Sequence, residues 1–180
     1  MNSVHKRNHI GALSRPLALA ASLVACAPLA AQETDPSYTM TVIVDTAHGS
    51  KVTAGKYERA IEKITASKSN RDPYSKQTNL CVAYTNTGEL DKATEACEAA
   101  LAITLDTQSP RRSYFGARQA RKTDRVHLAL ALSNLGVLHA AKGSPEIALR
   151  IFREALELDT GLSAPKVNLA RLSRDDAPSA

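Results

Sequence analysis

Histidines, cysteines and clustered charges are where this chain could carry chemistry. His48 lies in Asp45-Thr46-Ala47-His48-Gly49-Ser50, which contains the three residue types of a nucleophilic triad. Residues this close in sequence cannot reach triad geometry with one another without an unusual loop. His127 and His139 are 12 residues apart in a helical pattern. That is about 18 Å along a helix axis, too far to share a metal ion. Of the three cysteines, Cys81 and Cys97 are 16 residues apart, which is not a metal spacing, and no histidine cluster accompanies them. There is no phosphate-cradling glycine loop and no paired Cys-x-x-Cys. No catalytic residue, cofactor or metal ion is expected, and the chain is not read as an enzyme.

The strongest charge pattern is basic. Residues 107–128 hold Arg111, Arg112, Arg118, Arg121, Lys122 and Arg125 against the single acid Asp124. Residues 117–141 contain no proline, and as one helix they would reach about 37 Å. On it Arg118, Arg121, Lys122 and Arg125 follow the i, i+3, i+4, i+7 spacing of a single face. Cations near a helix N-terminus oppose its macrodipole, so local helix stability does not account for them. The stripe would suit an anionic partner, such as lipid head groups or an acidic protein face. The competing reading is a solvated segment with the helix capped at Thr123 or Asp124.

The elements that must position these groups begin after an export signal. Residues 1–15 carry Lys6, Arg7 and Arg15 and no acid, and residues 17–25 are a short apolar run. A basic stretch, a brief apolar stretch and then small residues read as a secretory signal spanning 1–31. The run is far short of the ~20 residues that cross a bilayer. Leu23-Val24-Ala25-Cys26 is similar to a bacterial lipobox, which would make Cys26 a lipidated N-terminus. The alternative is ordinary cleavage after Ala30 or Ala31, with Cys26 discarded. The formal charge is +5, but three of the 23 basic residues precede residue 31 and all 18 acids follow it. The remainder is nearly neutral and carries no nucleic-acid footprint.

Residues 32–50 read as a linker and an extended segment. Within them 38–44, Tyr-Thr-Met-Thr-Val-Ile-Val, are rich in β-branched residues and lack a partner strand. They are expected to pack along a helical array or to pair with something else. From 51 to 174 the apolar spacing is helical, over about 57–66, 75–85, 90–105, 147–158 and 165–172. Ser144, Pro145 and Glu146 supply a cap, a first-turn proline and a favourable charge to one of these helices. Residues 175–180 are read as a tail.

Two phrases recur through the helical part. Asn79-Leu80-Cys81, Asn134-Leu135-Gly136 and Asn168-Leu169-Ala170 form one set, the last two 34 residues apart. Gly55, Gly88 and Gly143, each with an alanine five positions on, form the other, the first two 33 apart. A period near 34 means stacked helical hairpins that bury their apolar faces on one another. The pattern resembles the tetratricopeptide repeat. Residues 129–162 carry Leu132, Asn134, Leu135, Gly136, Gly143, Ala148, Phe152 and Ala155 of its motif, with His139 where tyrosine is usual. Residues 74–107 carry Asn79, Leu80, Tyr84, Gly88, Leu90, Ala93 and Ala100, with Cys81 for the glycine and Cys97 for the aromatic residue. The resemblance implies an all-α array of about two full repeats plus flanking half-repeats, with the basic insertion 107–128 between the two.

The resemblance also assigns roles. Asn79, Asn134 and Asn168 would line a concave face, where each amide can donate and accept and so grip the backbone of an extended peptide. Otherwise they simply belong to the repeat pattern and stay solvated. Cys81 and Cys97 would face each other within one hairpin, as a disulfide in an oxidising compartment or as two buried thiols. The function expected is a non-catalytic interaction module of the cell envelope, periplasmic or secreted, with a lipid anchor where Cys26 is acylated. The partner would be an envelope protein or peptide, met by the concave face, by residues 39–44 or by the basic insertion. The alternative is an adaptor to anionic membrane or cell-wall groups through that insertion. So short an array has a shallow groove, which leaves self-association open.

Overall fold

The structure, a computed structural model, describes residues 38–69, 71–106 and 117–175. Residues 1–31, expected to be an export signal, with Cys26 among them, and the first half of the basic insertion lie outside them. The helices in chain order are α1 (Gly49–Thr53), α2 (Tyr57–Ala66), α3 (Pro73–Asn86), α4 (Leu90–Leu105), α5 (Ala117–Ala141), α6 (Pro145–Leu158) and α7 (Ser163–Asp175). No strand occurs among the described residues. The array is all-α, as the repeat spacing requires.

Helices α3 and α4 form one antiparallel hairpin and α5 and α6 the next. Helix α4 packs on α5, α6 on α7, and α2 on α3. The two hairpin turns close in the same way. Gly88 and Gly143 sit at φ 75° and 72°. The residue after each donates to the carbonyl five positions earlier, Glu89 to Tyr84 at 3.0 Å and Ser144 to His139 at 2.9 Å. This is the Schellman closure, which needs a left-handed residue just past the helix.

The same closure appears a third time. Gly55 has φ 70°, and Lys56 donates to Lys51 at 2.9 Å. Helix α1 is therefore the remnant of a first hairpin helix. The sequence pattern shows only the second half of that unit, because five residues are too few to carry a period.

Capping differs from expectation at two places. Asp72 caps α3 through Ser75 N at 3.2 Å and Ser75 Oγ at 2.6 Å, with Pro73 in the first turn. Ser144 occupies the matching position before α6, yet its side chain makes no capping hydrogen bond. Pro145 and Glu146 start that helix instead. Helix α5 runs unbroken from Ala117, so it passes through Thr123 and Asp124 rather than being capped there.

The two hairpins close their cores differently. A Cβ on Gly136 would stand 2.5 Å from the Phe152 ring, so the ring fills the space a side chain would need. At the equivalent places of the first hairpin stand Cys81 and Cys97, joined by a disulfide with Cα atoms 4.8 Å apart. Both cysteines are buried, in a cluster with Ile64, Leu80, Val82 and Leu138.

Candidate functional site: an asparagine ladder holding an extended strap

Residues 38–44 lie along the inner helices α3, α5 and α7 as a strap. Alternate residues face the three recurring asparagines. Thr39 N donates to Asn168 Oδ1 at 2.8 Å, and Asn168 Nδ2 donates back to Thr39 O at 2.8 Å. Thr41 is held by Asn134 in the same way, at 2.7 and 2.8 Å. Ile43 is held by Asn79 at 2.9 and 3.0 Å. Each amide thus takes both backbone groups of one residue, using its acceptor and its donor together.

The spacing explains the fit. In extended chain, residues two apart present their backbone groups to the same side and advance about 6.6 Å. One asparagine per repeat therefore meets every second residue. The strap runs from the last repeat to the first, opposite to the order of the helices.

Burial makes these bonds consequential. Asn79, Asn134 and Asn168 are between 0% and 1% exposed. A buried amide left without partners would cost about 1–3 kcal/mol in desolvation. The strap also completes the apolar core. Tyr38 and Met40 pack against the cluster of Val137, Ala148, Phe152 and Leu172. Met40 and Val42 pack on the cluster around the disulfide, and Ile43 packs on that of Tyr74, Ala100 and Ala131. The Arg171 guanidinium stands 5.7 Å from the Tyr38 ring centroid, within cation–π range.

The strap ends in a tight turn. Asn79 Nδ2 also reaches Thr46 O at 3.2 Å and Ala47 O at 3.4 Å. Ala47 and His48 follow at φ 47° and 57°, the left-handed region that costs an L-residue energy. Gly49 starts α1 where a Cβ would stand 1.9 Å from Ile43 O, so only glycine fits.

Two regions that the sequence offered as separate binding elements, the concave face and residues 39–44, are therefore bound to each other. Their pairings span 129, 93 and 36 residues. Thr39, Thr41 and Ile43 as the residues gripped were not singled out beforehand. The one signal was the β-branched run without a partner strand.

The other expected sites fall elsewhere. Of the basic stripe, Lys122 is exposed. Arg125 Nη2 donates to Glu157 O at 3.1 Å, at the end of α6, where a cation suits the helix dipole. The side chains of Arg118 and Arg121 lie outside the described set. The His127 ring stacks on Tyr74 at 4.3 Å, and Tyr74 Oη donates to His127 O at 2.9 Å. Among the described residues no three metal-ligating side chains converge, and no helix is long and apolar enough to cross a membrane.

Comparison with known proteins agrees with the hairpin geometry. Residues 128–158 match the family model of the tetratricopeptide repeat. That stretch runs from within α5 to the end of α6 and contains Asn134, Gly136, Gly143 and Phe152. No curated protein and no solved structure matches the chain.

Proposed function

We propose that this chain, which carries a tetratricopeptide repeat, is a non-catalytic interaction module of the bacterial cell envelope whose groove holds an extended polypeptide segment by its backbone. Repeats of this family serve generally to bind proteins and peptides. The observation that carries the reading is the ladder itself, in which Asn79, Asn134 and Asn168 each take both backbone groups of alternate strap residues. Such a grip reads conformation rather than side-chain identity. Specificity then comes from the apolar seats occupied by Tyr38, Met40 and Val42.

Export is supported by the basic and apolar stretches of residues 1–31 and by a disulfide in the first hairpin, a bond that persists in oxidising compartments. Mass spectrometry of the mature chain separates an acylated Cys26 from cleavage after Ala30 or Ala31.

The groove is tested with a fluorescent peptide of the 38–44 sequence. In a Thr39→Pro, Thr41→Pro chain the N–H groups accepted by Asn168 and Asn134 are gone, while the groove is untouched. The peptide is expected to bind this chain more tightly than the unaltered one, and to lose binding when Asn134→Ala is added. No peptide binding to either chain would overturn the reading.

A further inference from the structure

In the closed chain the strap fills the groove. Without it, the three asparagines that it helps to bury exchange its backbone groups for water, and the seats of Tyr38, Met40, Val42 and Ile43 open to solvent in three apolar clusters. Whatever displaces the strap must be extended. It must offer N–H and C=O groups at alternate residues and place apolar side chains in the same seats.

The strap is joined to the helices only through residues 45–48. That connection is short and conformationally costly, with Ala47 and His48 consecutively at positive φ and Gly49 packed directly against the Ile43 carbonyl. A strained short hinge is relieved when the segment it folds back swings out and docks elsewhere.

A second copy of this chain meets every requirement by construction. Its strap carries the same residues, so the asparagine bonds to residues 39, 41 and 43 and the apolar contacts are recovered, while the hinge adopts an ordinary extended conformation and gives up the Asn79 contacts with Thr46 O and Ala47 O. We infer that two copies exchange straps, residues 38–44 of each lying in the groove of the other across an opened hinge at 45–48. The inference rests on the reading above, that the groove accepts an extended segment in trans. Exchange is reciprocal, so neither groove is left empty and the assembly closes as a two-fold dimer. Four extended hinge residues span about 13 Å. The copies therefore meet at their α1 ends, and their grooves run away from one another.

The test uses the mature chain with a photoreactive phenylalanine derivative at Tyr38, the strap residue nearest Arg171 of α7. Natural-abundance and 15N-labelled chains are mixed at high concentration and irradiated, and the strap-to-α7 cross-links are read by isotope composition. Mixed-isotope cross-links are expected, together with a dimer by light scattering. An Ala47→Gly, His48→Gly chain relaxes the closed turn, so its mixed share is expected to fall several-fold. Cross-links of matched isotope alone, both after long co-incubation and after joint unfolding and refolding, would overturn the exchange. If the strap peptide still binds in the preceding experiment, only the exchange is rejected. If it does not, the groove reading falls as well.

Discussion

Asn134 takes both hydrogen-bonding groups of Thr41, accepting from its N–H at 2.7 Å and donating to its carbonyl at 2.8 Å across 93 residues of sequence. The pair lies mid-strap, with the same arrangement on either side. Removing the amide abolishes two hydrogen bonds and leaves the Thr41 groups facing apolar side chains. Asn134→Ala is expected to cost about 2–3 kcal/mol, measured as a shift in the urea midpoint. Asn134→Asp keeps the acceptor but sets a carboxylate against a carbonyl. Its stability relative to the unaltered chain should rise on acidification, when the protonated carboxyl can donate again. An Asn134→Asp deficit that is flat with pH would show that the donor half of the pair contributes nothing.

A side-chain ladder, like the edge of a β-ladder, protects alternate amides. Thr39, Thr41 and Ile43 donate to asparagine oxygens. Hydrogen exchange resolved by residue should therefore show slow amides at 39, 41 and 43 and faster ones at 40, 42 and 44. Uniform protection along the segment would mean that its backbone is paired on both sides.

Cys81 and Cys97 stand to each other as Gly136 stands to Phe152, a covalent bond replacing a ring against a glycine. Losing the bond through Cys97→Ser should cost about 3 kcal/mol on the chain-entropy account, read as a lowered melting temperature under oxidising conditions. The Cys81→Gly, Cys97→Phe pair should recover much of that loss by repeating the packing of the second hairpin. It should also make stability independent of reductant. A double variant no better than Cys97→Ser would mean that the first hairpin cannot accept the ring.

His139 introduces a pH dependence. Its pKa is held below the ordinary histidine value, first by burial and then by the neighbouring charge of Lys142, with Arg150 adding and Glu98 opposing. The unfolded chain therefore takes up this proton near pH 6.5, before the folded chain does. Stability contributed here is present above about pH 6.5 and declines as pH falls from there to the depressed folded value. His139→Gln should flatten that part of the stability profile, followed by denaturant midpoints between pH 7 and 5.

Much of the array was legible because its signals are local. The helix at Leu90–Leu105 ends where its apolar spacing ends. Gly55, Gly88 and Gly143 mark turns that only a left-handed residue closes in this way. Where the local signal is short or ambiguous, the fold departs from it. Helix α1 has five residues, less than two turns. The serine before α6 has the composition of a cap without making the bond.

The sequence by itself determined the repeat, its recurring asparagines and an unpartnered segment rich in β-branched residues. These follow from periodicity and from side-chain chemistry, which act over a few residues. Only the tertiary structure decided that the segment fills the groove those asparagines line, and in reverse order. The physical reason is that an asparagine ladder accepts any extended backbone. Which one it holds depends on the apolar seats beside it and on a chain path that returns residues 38–44 across the whole array, and neither is written in any local pattern.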